Sequence, residues 1–237
     1  MTQLVRLGLI GFGNVGQGLA QIIKESHDEY LATYGLDLRI TAVSDALKGS
    51  LHDPRGLDAG LLLEKIGNDN SFKGLPGEKP GWDALTMIGE SETDVIVEMS
   101  YTDLKTGQPA TDHLRQAFNN HKHVVTTNKG PVALNYGELE ALAKSQGVQL
   151  GVEGTVMSGT PTLRLAREIL AAGRIRKIMG ILNGTTNYIL TQMESGMSYT
   201  DALAEAQKLG YAEADPTGDV EGFDAAGKVV ILARLLM

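Results

Sequence analysis

The chain has 237 residues, is 42% hydrophobic and 21% charged, and carries a formal net charge of −8. That acidic, ordinary globular composition argues against nucleic-acid or anionic-membrane partners, which need basic surface, and no 18-residue apolar run offers a transmembrane span. With no cysteine, disulfides, thiolate nucleophiles and cysteine zinc sites are excluded.

The N-terminus, MTQLVRLGLIGFG, is short and glycine-rich without a small-residue cleavage site, so it reads as structure, with a cytoplasmic location as the default. Residues 4–10 read as a buried strand. GFGNVG follows, then a helix with Leu19, Ile22 and Ile23 on one face and Gly35 at its end. Residues 38–44 read as a second strand. The stretch 46–82 is rich in Gly, Pro and Asp and reads as irregular, with one short helix near 57–66. A strand at 94–99, a helix around 109–120 and a strand at 123–127 come next; His121 and His123 read as a polar strand entrance, since the five histidines make no ligand spacing. Asn135 with Glu138 looks like a capping box opening a helix that Gly147 ends, and 148–152 is a further strand. This β/α alternation predicts a Rossmann-type, doubly wound parallel sheet over residues 1–150.

The character changes beyond 150. Residues 159–173 predict an amphipathic helix with Thr160 as N-cap and Pro161 first in the helix. Residues 175–182 predict a strand, and NGTTNYILTQM a helix entered through Asn183 and Gly184. Ser198 with Asp201 caps a helix ending at Gly210, and an acidic stretch leads into a terminal helix. A second, α+β domain is expected over 151–237.

Gly11, Gly13 and Gly16 hold the GxGxxG spacing between an apolar strand and a helix, the context that gives this motif meaning. Gly11 permits the tight turn, Gly13 lets backbone N–H groups reach a pyrophosphate, Gly16 brings helix and strand close, and the helix N-terminus attracts the phosphates. Phe12, Asn14 and Val15 complete the loop. The second strand ends at Ser44 and Asp45. An acid there takes the adenine ribose and favours NAD, but Asp45 comes later than the usual ~20 residues after the first glycine. Lys48 and Arg55 lie just beyond and could hold a 2′-phosphate, so NAD and NADP both stay open. Ligands sit outside the carboxyl ends of such strands. Ser100 and Tyr101 follow one strand there, and Lys129 follows another, placed to hold a carboxylate or move a proton.

Glu213, Asp215, Asp219, Glu221 and Asp224 crowd ahead of Lys228. Asp224 and Lys228 are four apart, hence on one helical face. An exposed pair of that kind needs no special explanation. Apolar neighbours Ala225, Ala226, Val229, Val230, Ile231 and Leu232 favour a crevice position instead. Such a site suits a small cationic substrate and an acid–base lysine.

GFGNVG at 11–16, TTNKGP at 126–131, EGTVMSGTPT at 153–162, GILNGTTNYIL at 180–190 and ALAEAQKLGYAEADPTGDVEGFDAAGK at 202–228 together resemble homoserine dehydrogenase. The resemblance implies NAD(P)-dependent interconversion of L-homoserine and L-aspartate 4-semialdehyde, with residues 151–237 serving substrate binding and dimerisation. It also implies that Lys228 transfers the proton, with Lys129 a second lysine at the reacting hydroxyl. Glu213 and Asp224 correspond to substrate carboxylates, Asp219 to a supporting acid, and Gly184, Thr185 and Gly210 to positions against substrate and cofactor. Glu153 with the carbonyls of Val156, Ser158 and Thr160 corresponds to a monovalent-cation loop, with sodium expected. The family's catalytic region continues past the terminal helix, so the apolar ARLLM end implies a truncated chain or a face covered by homodimerisation. Dehydrogenases that acylate a cysteine are excluded for want of one. The alternative is a dinucleotide-binding module of the same family without turnover.

Overall fold

The computed structural model describes residues 2–237 and divides into two compact units, one reaching Gly154 and one spanning Thr155–Met237.

The first unit is built on a six-stranded sheet. Its strands are β1 (Gln3–Ile10), β2 (Leu36–Asp45), β3 (Gly49–His52), β4 (Val95–Glu98), β5 (His123–Thr126) and β6 (Leu150–Gly151), in the order β3-β2-β1-β4-β5-β6. All neighbours are parallel except β2 and β3. Strand order reverses direction between β1 and β4, the switch point where doubly wound sheets open a ligand crevice. Helices cover both faces: α1 (Asn14–Glu29), α2 (Ala59–Asp69), α3 (Ala84–Glu90), α4 (Ala110–Asn119) and α5 (Lys129–Ser145). The period-2 alternation of β1 and β4 explains the two cores. Leu7, Leu9 and Val97 point to the side of Ala20, Ile23, Leu62 and Phe72. Ile10 and Ile96 point to the side of Leu114, Phe118 and Leu139.

Several expectations are corrected. The buried face of α1 is Gly16, Ala20 and Ile23, with Ile22 half exposed, because 16, 20 and 23 share a face at 3.6 residues per turn. A π-helical turn, Tyr30–Tyr34, extends α1 to Gly35. The irregular stretch contains β3, and α3 follows it, capped by Asp83 accepting from Thr86 N–H. Helix α5 starts at Lys129, not near Asn135; Asn128 is its cap, accepting from Gly130 N–H. Pro131 falls in the first turn, where a missing N–H costs no helical bond. Asn135 lies inside the helix and donates to Thr111.

The second unit holds α6 (Thr162–Arg164), continued by a π-helical turn Leu165–Ile169, then α7 (Gly184–Glu194), α8 (Tyr199–Lys208), α9 (Thr217–Val220) and α10 (Phe223–Leu236). Its small core joins Ile189 of α7 to Ala202 and Ala206 of α8 and to Ala212. Thr160 caps nothing; Pro161 precedes α6 and no side chain caps it. The expected strand at 175–182 does not form. The segment pairs with no strand, and Met179 and Ile181 remain exposed. Apolar β-type sequence needs a partner strand, and the second unit has none among the described residues.

Candidate functional site: a dinucleotide cradle and an acid–lysine cleft

In the first unit, β1 delivers the chain into the glycine loop. Gly11 sits at φ +87°, and a Cβ there would lie 2.6 Å from the Met99 carbonyl oxygen. A Cβ on Gly16 would meet the Gly11 carbonyl at 2.7 Å, so this turn accepts only glycine at both positions. Gly13 is different: nothing lies within 4 Å of its Cβ position, and no side chain caps α1. Open space over uncapped helix N–H groups is a place for a phosphate. The residues present therefore fit a dinucleotide.

The loop residues and their neighbours also have structural partners. The Phe12 side chain is buried in the core against Phe72, at 5.3 Å between ring centres. Its N–H donates to Asp45 Oδ2 at 2.8 Å. Asp45 Oδ1 accepts from Leu47 and Lys48 N–H, and Lys48 Nζ stands 3.5 Å from Oδ2. Burial pushes the Asp45 carboxyl up, but these donors outweigh it and hold it below the usual aspartate value. The acid expected to read a ribose thus first ties the glycine loop to the end of β2. Ser44 is buried; its carbonyl accepts from Gly11 N–H and its hydroxyl from Ser50. Arg55 pairs with Asp53 and lines a separate cleft with Lys24, His27 and Arg39. Asn14, Val15 and Tyr101 are exposed, the last two apolar in large part. Lys129 opens α5, and Asn128 ties that opening to the carbonyls of Ser100 and Tyr101, at 3.2 and 2.9 Å.

The second unit has a cleft of about 640 Å³ lined by Asn183, Thr185, Tyr188, Tyr211, Asp219, Asp224 and Lys228, with Gly184 and Gly210. The one-turn spacing on α10 brings Lys228 Nζ to 2.6 Å from Asp224 Oδ2. Lys228 also donates to the Leu182 carbonyl at 2.6 Å. Asn183 was not foreseen in the site. Its amide nitrogen bridges Asp219, at 2.6 Å, and Asp224, at 3.0 Å, while its oxygen accepts from Thr186 N–H as the cap of α7. The signal available was its position as a polar cap directly before Gly184. Tyr188 and Tyr211, edge to face at 5.0 Å, form the apolar wall and were also missed. Thr185 donates to the Tyr211 carbonyl.

Glu213 is not brought into this cleft. Its side chain is exposed, and its carbonyl accepts from Gln207. Asp215 makes a local turn with Thr217, as its place before proline implies. Of the expected cation ligands, Glu153 falls in the first unit, whereas Val156, Ser158 and Thr160 fall in the second. No cluster of three or more His, Cys, Asp or Glu suited to a metal occurs among the described residues.

A doubly wound sheet with a glycine-lined phosphate cradle, joined to a unit carrying a polar acid–lysine cleft, defines a nucleotide-dependent oxidoreductase architecture. The family model for the NAD-binding domain of homoserine dehydrogenase matches residues 11–153, and the model for homoserine dehydrogenase matches residues 161–237. The chain belongs to the homoserine dehydrogenase family. It is 46% identical over 98% of its length to an NAD(+)-dependent homoserine dehydrogenase of Pseudomonas canavaninivorans, covering 66% of that protein. It is 43% identical to a homoserine dehydrogenase of Methanocaldococcus jannaschii, over 97% of this chain and 68% of the relative. A hyperthermophilic archaeal homoserine dehydrogenase solved with NADPH superposes with a TM-score of 0.88 at 29% identity, over 99% of this chain and 70% of that one. The chain therefore spans about two thirds of the length of these relatives.

Proposed function

We propose that this chain interconverts L-homoserine and L-aspartate 4-semialdehyde, with NAD or NADP as the redox partner. The observation that carries the reading is the Lys228 ammonium, held by Asp224 and the Leu182 carbonyl in a cleft lined by a second carboxylate. An amino acid bearing an ammonium and a hydroxyl needs fixed acids for the first and a proton carrier for the second. Asp219 and Asp224 serve the ammonium, and Asn183 keeps the two carboxylates apart and oriented. Glu213 joins them by resemblance alone. When bound, the nicotinamide supplies or accepts the hydride. An ammonium in this setting is a proton donor, which suits protonating the alkoxide formed as the aldehyde is reduced; in the opposite direction Lys228 must first give up its proton. Lys129 as second lysine rests on the TTNKGP resemblance, and sodium at EGTVMSGT rests on its motif.

The NAD(+) dependence of one relative and the NADPH bound to another support both cofactors. Cytoplasmic action as a homodimer in threonine and methionine biosynthesis completes the proposal. The test is Lys228→Ala. It lowers kcat by about 10²–10⁴-fold, the range for a general acid–base group, and leaves cofactor affinity within about twofold. An unchanged kcat removes Lys228 from the chemistry.

A further inference from the structure

Glu98 ends β4 at the crevice edge, is completely buried, and has no part in the proton or hydride steps above. A buried carboxylate is costly unless donors satisfy it. Here the partners come from the loop after β4, the end of β5 and α4. Glu98 Oε1 accepts from Ser100 N–H at 3.2 Å and from the Ser100 hydroxyl, with His113 Nδ1 of α4 at 3.4 Å. The Thr126 hydroxyl lies 3.1 Å from the Glu98 carbonyl oxygen and 3.5 Å from Oε2. Thr126 in turn accepts from Asn128 N–H at 2.9 Å. Asn128 closes the circuit, donating to the Ser100 and Tyr101 carbonyls and capping α5 just ahead of Lys129. Glu98 thus fixes the loop after β4 through its carboxylate and, through its backbone carbonyl with Oε2 close by, holds Thr126, Asn128 and the first turn of α5.

We propose that Glu98 is a positioning residue for the nicotinamide end of the cofactor site, acting through Ser100, Thr126 and Asn128. The inference rests on the dinucleotide reading of the first unit. Its separability comes from the architecture. Phosphates are held at the glycine loop after β1, whereas the Glu98 circuit shapes the ends of β4 and β5. Glu98→Gln preserves the side-chain shape but turns one acceptor oxygen into a donor amide. That amide either opposes the Ser100 donors or turns to the Thr126 hydroxyl oxygen, and in both orientations the charge that strengthens the Ser100 bonds is lost.

The experiment compares equilibrium binding of NADH and of ADP-ribose, which lacks the nicotinamide, by the whole chain and by two variants. Glu98→Gln weakens NADH by about tenfold or more, the worth of one charge-assisted hydrogen bond, and leaves ADP-ribose within about twofold. Thr126→Val, which keeps the shape and removes the link to Asn128, gives the same selective loss to a smaller degree. It decides the matter by the same criterion where Glu98→Gln does not fold. Equal losses for both ligands mark Glu98 as merely structural and overturn the proposal, as does unaltered NADH binding. Failure of the unmodified chain to bind either ligand overturns the dinucleotide reading itself, and this inference with it.

Discussion

Asp45→Asn separates two roles for the acid at the end of β2. As a ribose contact alone, Asp45 would be dispensable for folding. Instead it accepts three backbone N–H bonds, from Phe12, Leu47 and Lys48, with its side chain 11% exposed. Asparagine keeps one acceptor oxygen, which can serve Leu47 and Lys48. Its amide nitrogen then faces the Phe12 N–H, donor against donor. A hydrogen bond to a charged group contributes roughly 1.5–3 kcal/mol, and a buried N–H left unpaired costs about 1–3 kcal/mol. Allowing for relaxation, the variant should lose about 2–4 kcal/mol. Urea denaturation with an unchanged slope reads that loss directly. The sign with pH also follows. The folded carboxyl lies below its unfolded value, so its contribution is complete above about pH 4 and disappears as pH falls through the folded value. The native chain therefore loses more stability than the variant on acidification below about pH 4. A loss under about 0.5 kcal/mol, with only NAD affinity altered, would refute the loop-clamp role and restore the ribose contact as the whole of it.

Two further outcomes follow from buried polar groups. Asn183→Ala removes both the cap of α7 and the bridge between Asp219 and Asp224, whereas Asn183→Ser keeps a capping oxygen. Homoserine KM should rise in both, and thermal stability should fall by about 1 kcal/mol more in the alanine variant; equal stabilities would deny the capping role. Lys122 is buried, donating to the Ser91 carbonyl and the Thr93 hydroxyl, and burial pushes its ammonium below the usual lysine value. The unfolded chain then binds more protons in the window that ends near pH 10.4, so stability rises with pH across it. Lys122→Met should lose that rise in a pH series of denaturation curves, and an identical slope in both proteins would contradict it.

What the sequence discloses is what is local. GFGNVG sits where an apolar strand meets a helix, and each glycine's need is a matter of nearby atoms. The i,i+4 spacing of Asp224 and Lys228 likewise carries its own geometry. Strand β3 was illegible because four residues, GSLH, become a strand only by pairing with β2. The segment 175–182 shows the converse: apolar, β-type sequence without a partner to make it a strand. The start of α5 is set by Asn128, whereas Asn135 with Glu138 imitates a capping box inside the helix, and Pro131 between them is compatible with a first turn. The placing of the acids has the same origin. Crowding along the chain places Glu213 near Asp219 in sequence, yet Glu213 is exposed and Asp219 lines the cleft. Asn183 reaches Asp219 and Asp224 across 36 and 41 residues, a proximity no local pattern encodes.

The most direct measurement follows absorbance in the nicotinamide band for the 237-residue chain with L-homoserine and with NAD or NADP in turn. The account predicts reduced cofactor that accumulates only when homoserine is present, and that is abolished in large part by Lys228→Ala. Binding of neither cofactor would contradict the cradle at Gly11–Gly16, and tight cofactor binding with no homoserine-dependent reduction would contradict the acid–lysine cleft as a catalytic site in this chain.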